Sequence, residues 1–182
     1  VDVRPGTLSA TTVSFRSGHA GRIVLLADEM TSLDSPARQV VVERHPVLAD
    51  GFFDRIKVIN YGSDRCELEL LIEVGADFRD AFEVRGMVRA ARGETHEPEL
   101  TAEGVRFRYT GLDGLEYTTD VRFTPAPTSL ESELDSGNEH VDERTKEPAG
   151  PRNDVAAACW VRAVYSLVLE PKAEQVVDVA AC

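Results

Sequence analysis

The chain is poor in lysine, cysteine, tryptophan and methionine, and it has no long apolar run. Its three cysteines, Cys66, Cys159 and Cys182, are widely spaced and odd in number, and they form neither a CxxC pair nor a Cys/His ligand spacing. No disulfide framework is therefore predicted. No apolar stretch approaches the roughly 18 to 20 residues of a membrane span, and no basic-then-apolar leader precedes Val1, so a cytoplasmic protein is the expectation. Positive charge is also scarce. Twenty basic residues stand against 32 acidic ones, giving a net charge of -12 and a pI near 4.8. A surface of that sign opposes the phosphate neutralisation needed for nucleic-acid binding or for attachment to anionic lipid, and neither partner is predicted.

The usual signatures of chemistry are missing too. There is no GxxxxGK[ST], no GxGxxG between strand and helix, and no GxSxG elbow, which removes nucleotide, dinucleotide and serine-hydrolase chemistry of those types. His19, His45, His96 and His140 are isolated, with no HxH or HExxH pair, so no metal and no cofactor are predicted. Glycoside hydrolysis needs two carboxylates flanking a sugar pocket. Among the 32 acids, Asp77, Asp80 and Glu83 are the most suggestive because phenylalanines surround them. The alternative is structural: Glu83 and Arg85, two apart on an expected strand, point the same way and neutralise each other at a sheet edge. Trp160 alternates with Arg162 and Val164, which reads as a core position rather than a sugar platform.

What the chain does have is a period near two. In residues 66–74, Cys66, Leu68, Leu70, Ile72 and Val74 share one face, the pattern of a half-buried strand. With residues 52–61, across the turn at 60–64, they read as an antiparallel hairpin. A second hairpin joins the Val105, Phe107, Tyr109 alternation to 117–123 through Gly111-Leu-Asp-Gly114, with Arg106, Arg108 and Arg122 on the solvated side. Further strands are expected at 7–15, 22–27, 38–47, 83–91, 157–169 and 175–180. About ten strands with no helical pattern of ten residues predict an all-β fold, a large antiparallel β-sandwich, formed by 1–182 as one domain. One short helical turn is expected over 77–82, with Phe78 and Phe82 in the core and Asp77 or Asp80 capping its amides. Glu83 to Arg85 would then begin a strand, and Gly86 would permit a close approach or bulge. Residues 131–154 carry eight acids and three bases with few apolar residues, and are expected to form a solvated loop or insertion.

Two stretches carry a resemblance. Residues 43–58 read Glu-Arg-His-Pro-Val-Leu-Ala-Asp-Gly-Phe-Phe-Asp-Arg-Ile-Lys-Val, and residues 75–86 read Gly-Ala-Asp-Phe-Arg-Asp-Ala-Phe-Glu-Val-Arg-Gly. Together they resemble the N-terminal domain of glycogen-debranching-type (amylo-α-1,6-glucosidase-like) proteins, in which an ADFADxFEVRG-like motif follows a strand pair. Arg79 stands where that motif usually has a small residue. The resemblance implies a supersandwich-like domain ahead of an (α/α)-barrel that holds the glycosidase carboxylates. It also implies a non-catalytic role: packing against that barrel, with Asp77, Phe78, Asp80, Phe82, Glu83, Arg85 and Gly86 as the structural or interdomain motif. An α-glucan is the implied ligand of the whole protein. An autonomous carbohydrate-binding module and a protein-interaction or homo-oligomerisation domain are the competing readings.

Overall fold

The computed structural model describes residues 2–4, 7–17, 19–28, 40–87, 89, 91–134 and 159–182. The larger of its two sheets runs, in spatial order, β2 (Thr7–Ser17), β3 (Ala20–Asp28), β4 (Val40–Leu48), β5 (Phe52–Asn60), β13 (Glu174–Ala181), β10 (Glu116–Thr124), β9 (Gly104–Thr110) and β7 (Glu94–Thr95). A ninth strand, β8 (Glu99–Leu100), lies along β9. The smaller sheet is β1 (Asp2–Arg4), β6 (Cys66–Ala76), β12 (Cys159–Leu169) and β11 (Ser129–Leu134). Every strand pair is antiparallel. The all-β sandwich expected from the period-two pattern is what forms, with one four-residue helix, α1 (Ala81–Val84), among the described residues.

The core lies between the sheets. Cys66, Leu68, Leu70 and Ile72 of β6 and Val161, Ala163, Tyr165, Leu167 and Leu169 of β12 meet inward residues of β4, β5, β9, β10 and β13 in a single cluster. Phe107, 1% exposed, is the largest fully buried side chain. Each buried Val, Leu, Ile or Phe side chain among these contributes about 1.5–3 kcal/mol by leaving water. The outer face of the large sheet carries charge instead. Arg106 grips its register partner Asp120 through two hydrogen bonds of 2.6 and 2.9 Å, and Arg55 grips Asp178 at 2.7 and 2.9 Å. These guanidinium bonds hold both carboxyls below their ordinary range. A one-residue slip of register would break both grips and turn the apolar face outward.

Four expectations are corrected. Residues 52–60 and 66–76 are strands, but they do not pair: β5 lies between β4 and β13 in one sheet, and β6 between β1 and β12 in the other. The 60–64 turn is thus a crossing between sheets. It is held by Asn60, which is 1% exposed and donates to the carbonyls of Asp64, Leu169 and Glu170 while accepting from the Gly62 amide. The strand expected over 83–91 is absent from its described residues, which form α1 and the coil after it. Residues 131–134 of the expected loop are strand, the end of β11, while 135–154 fall outside the described residues. Trp160 faces outward and is 47% exposed, because β12 buries the alternate set beginning at Val161.

Candidate functional site: the apolar end of the sandwich

β6 ends at Ala76 opposite Cys159, where β12 begins, and the chain then turns over the end of the sandwich. Asp77 opens that turn by accepting the Arg79 amide at 3.1 Å. Phe78 is held in the left-handed region, φ 47°, where a side chain with a Cβ is strained by on the order of 1–3 kcal/mol. Its ring is partly buried against the core and stacks on Tyr109, with centroids 5.4 Å apart and planes at 14°. Asp80 then caps α1: its Oδ1 accepts from the amides of Phe82 and Glu83, each at 2.8 Å, and Glu83 Oε2 accepts the Asp80 amide at 3.1 Å. This reciprocal box satisfies donors that a helix start otherwise leaves open.

Glu83 is 11% exposed and lies 3.2 Å from Arg92 and 3.7 Å from Arg89. Arg89 also bonds Asp80, and Arg92 donates to the Asp77 carbonyl at 2.7 Å. The carboxylates of Asp80 and Glu83 are therefore occupied in capping and in ion pairs. Neither partner of Glu83 is Arg85, which instead closes α1 by donating its amide to Phe82 O. Gly86 follows at φ 92°, and a Cβ added there would meet nothing within 4 Å, so this position needs glycine for its left-handed turn and not for a close approach. Phe82 is corrected more sharply. The helix turns its ring outward and leaves it 61% exposed, so Phe78 alone anchors the turn in the core.

Between this turn and the β9–β10 hairpin lies a cleft of about 530 Å³, walled by Phe78, Arg79, Asp80 and Glu83 on one side and Tyr109, Asp113 and Tyr117 on the other. The hairpin forms as the sequence predicted, with Tyr109 opposite Tyr117 in register. A second depression of about 470 Å³ shares Phe78 and Arg79 and reaches Thr119 and Trp160, so the ends of both sheets contribute. Around them the surface is apolar: Phe82, Val84, Met87, Leu112, Leu115 and Trp160 are all exposed. The β4–β5 tip lies at the same end, because Phe52 is paired with Ala181 and Ala181 with Val121, and it adds exposed Leu48 and Phe53. Sequence reasoning brought together the 77–86 motif but missed Arg89, Arg92 and Asp113. The available signal was the turn Gly111-Leu-Asp-Gly114, which marks the hairpin tip without saying what it meets.

The described residues form a two-sheet antiparallel sandwich whose exposed phenylalanines and tryptophan lie toward one end. The chain belongs to the family described as the N-terminal domain of (some) glycogen debranching enzymes, whose model matches residues 2–180. The resemblance carried by the motif ending at Gly86 is thereby borne out. No curated protein matches the sequence. Among solved structures, the fold is similar to that of a protein described as "Putative kojibiose phosphorylase from human microbiome", with a TM-score of 0.53 and 9% identity over 89% of this chain. A polysaccharide lyase covers 96% of the chain at 12% identity and a TM-score of 0.43. The chain spans 17% of the length of the first and 25% of the second.

Proposed function

We propose that this domain is the non-catalytic N-terminal part of a glycogen-debranching-type glycoside hydrolase, docking its apolar end against the (α/α)-barrel catalytic domain of the same protein and forming one wall of the glucan site. The observation that carries this reading is the gathering of large exposed apolar side chains around the 77–86 motif. The opposite end, toward the crossings 60–66 and 170–173, exposes Tyr61, Val168 and Leu26 but no phenylalanine or tryptophan among the described residues. Exposed apolar side chains concentrated toward one end in this way favour an interface over a solvated face. The family supports the choice of partner, since an N-terminal domain of an enzyme has the rest of that enzyme to pack against. The engagement of Asp80 and Glu83 in caps and ion pairs supports a structural role for the motif.

The test is sedimentation velocity of the chain mixed with the separately expressed catalytic portion. A one-to-one complex is expected, weakened at least about tenfold by Phe82→Asp with Leu112→Asp. Absence of a complex, or one indifferent to those charges, overturns the docking. Glucose release from a branched glucan by the purified 182-residue chain overturns the non-catalytic assignment.

A further inference from the structure

We infer that the cleft between the 77–86 turn and the β9–β10 hairpin is a binding site for a neutral saccharide, an α-glucan segment in this family. The choice of glucan rests on the proposed function, whereas the residues that line this cleft all belong to this chain.

Three features carry the inference. The first is a rigid aromatic wall. Phe78 stacks on Tyr109, and Tyr109 lies 6.3 Å from Tyr117 with the rings tilted by 41°. The phenol of Tyr109 accepts the Gly93 amide at 2.7 Å, and that of Tyr117 donates to Asp113 Oδ2 at 3.1 Å. Both tyrosines are tethered, yet Tyr117 remains 45% exposed and offers a ring surface to the cleft. An amphipathic ring of this kind suits a ligand with an apolar C–H face and polar edges, which a pyranose has.

The second feature is charge. Of the ionic groups lining the cleft, Arg89 lies between Asp80 and Glu83, and Arg79 is 3.6 Å from Asp77. Guanidinium groups already engaged by carboxylates, in a chain of net charge -12, make a poor site for phosphate or for an acidic sugar. Carboxylate and guanidinium groups fixed at a cleft wall match hydroxyls instead, because a hydroxyl both donates and accepts. The third feature is the Phe78 backbone. Strain persists where surrounding structure over-determines it, and ligand clamps are where it gathers. Here the strained turn is what presents the ring to Tyr109. The cleft volume, about 530 Å³, falls within the roughly 300–1,000 Å³ of small-molecule sites.

The experiment titrates the 182-residue chain with maltohexaose, and with cellohexaose for comparison, reading amide shifts by NMR and the emission of Trp160, the single tryptophan. Saturable shifts over 78–83 and 111–117 with maltohexaose are expected. Tyr117→Ala should weaken binding about tenfold while leaving the remaining spectrum folded, since the ring is half exposed. Cellohexaose binding equally well would overturn the α-glucan assignment. No saturable shift, shifts elsewhere, or unchanged affinity in Tyr117→Ala would overturn the site. Saccharide binding without docking would leave this site standing and sink the proposed function. Docking without saccharide binding would do the reverse.

Discussion

Replacing Asn60 tests the way the two sheets are joined. Its amide nitrogen has two hydrogens and faces three carbonyls, Asp64 O at 2.8 Å, Leu169 O at 3.2 Å and Glu170 O at 3.3 Å, while its oxygen accepts Gly62 N at 2.8 Å. The bonds to Leu169 and Gly62 are buried, and the other two are reached by solvent. Asn60→Ala leaves those two buried groups unpaired at about 1–3 kcal/mol each, so a loss of about 2–4 kcal/mol is expected from a domain whose total stability is on the order of 5–15 kcal/mol. Asn60→Asp separates bonding from packing. It preserves size and the acceptor for Gly62 but sets a carboxylate against three carbonyls. Burial there would raise the carboxyl pKa above its unfolded value, so the destabilisation is full at neutral pH and shrinks as pH falls toward about 4. Urea titration followed by circular dichroism, with an unchanged m-value, reads both effects. An alanine variant losing under about 1 kcal/mol, or an aspartate variant whose loss ignores pH, would refute the role given to Asn60.

Two other perturbations separate core from surface. Phe82→Ala should cost under about 1 kcal/mol, as its ring is largely in water, whereas Phe78→Ala should cost about 2–4 kcal/mol by removing a partly buried ring from the core and from Tyr109, both read by denaturant midpoint. The hydrogen bonds and charges of Arg106 and Arg55 depress the carboxyls of Asp120 and Asp178 in the folded state. Their stabilisation is therefore present above the unfolded carboxyl pKa of about 3.9 and is lost as pH falls through the lower folded values. The double variant Asp120→Asn with Asp178→Asn should lower stability at pH 7 by the small amount that pairs facing solvent contribute, and flatten the acid arm below about pH 4 by that same amount. An acid arm identical to that of the parent would remove these pairs from the acid response.

Alternation was enough to find β6 and the β9–β10 hairpin, because a half-buried strand must put every second side chain inside and Gly111-Leu-Asp-Gly114 supplies the residues a tight turn needs. It was not enough to say which strands pair. Asn60-Tyr-Gly-Ser-Asp64 is turn chemistry whether the chain folds back within one sheet or crosses to the other, and the difference is made by β4 and β13 already occupying both sides of β5. β12 fails differently. Both of its faces hold apolar residues, with Val161, Ala163 and Tyr165 on one and Trp160, Val164 and Val168 on the other, so periodicity alone does not set the phase.

The 77–86 motif divides along the same line. Asp80 three residues before Glu83, and Gly86 after a short apolar turn, are local signals, because a capping box and a left-handed glycine involve neighbours in sequence. The cap at Asp80 was legible in the sequence by itself, together with the all-β class and the family, whereas Glu83 was expected in a strand and Gly86 at a close approach or bulge. Only the tertiary structure decided that Phe78 would turn inward and Phe82 outward, that Glu83 would pair with Arg89 and Arg92, and that the motif would face Tyr117 across a cleft. Burial and ion pairing depend on what arrives from distant parts of the chain, and a strand or turn carries no record of its neighbours until the sheets close on each other.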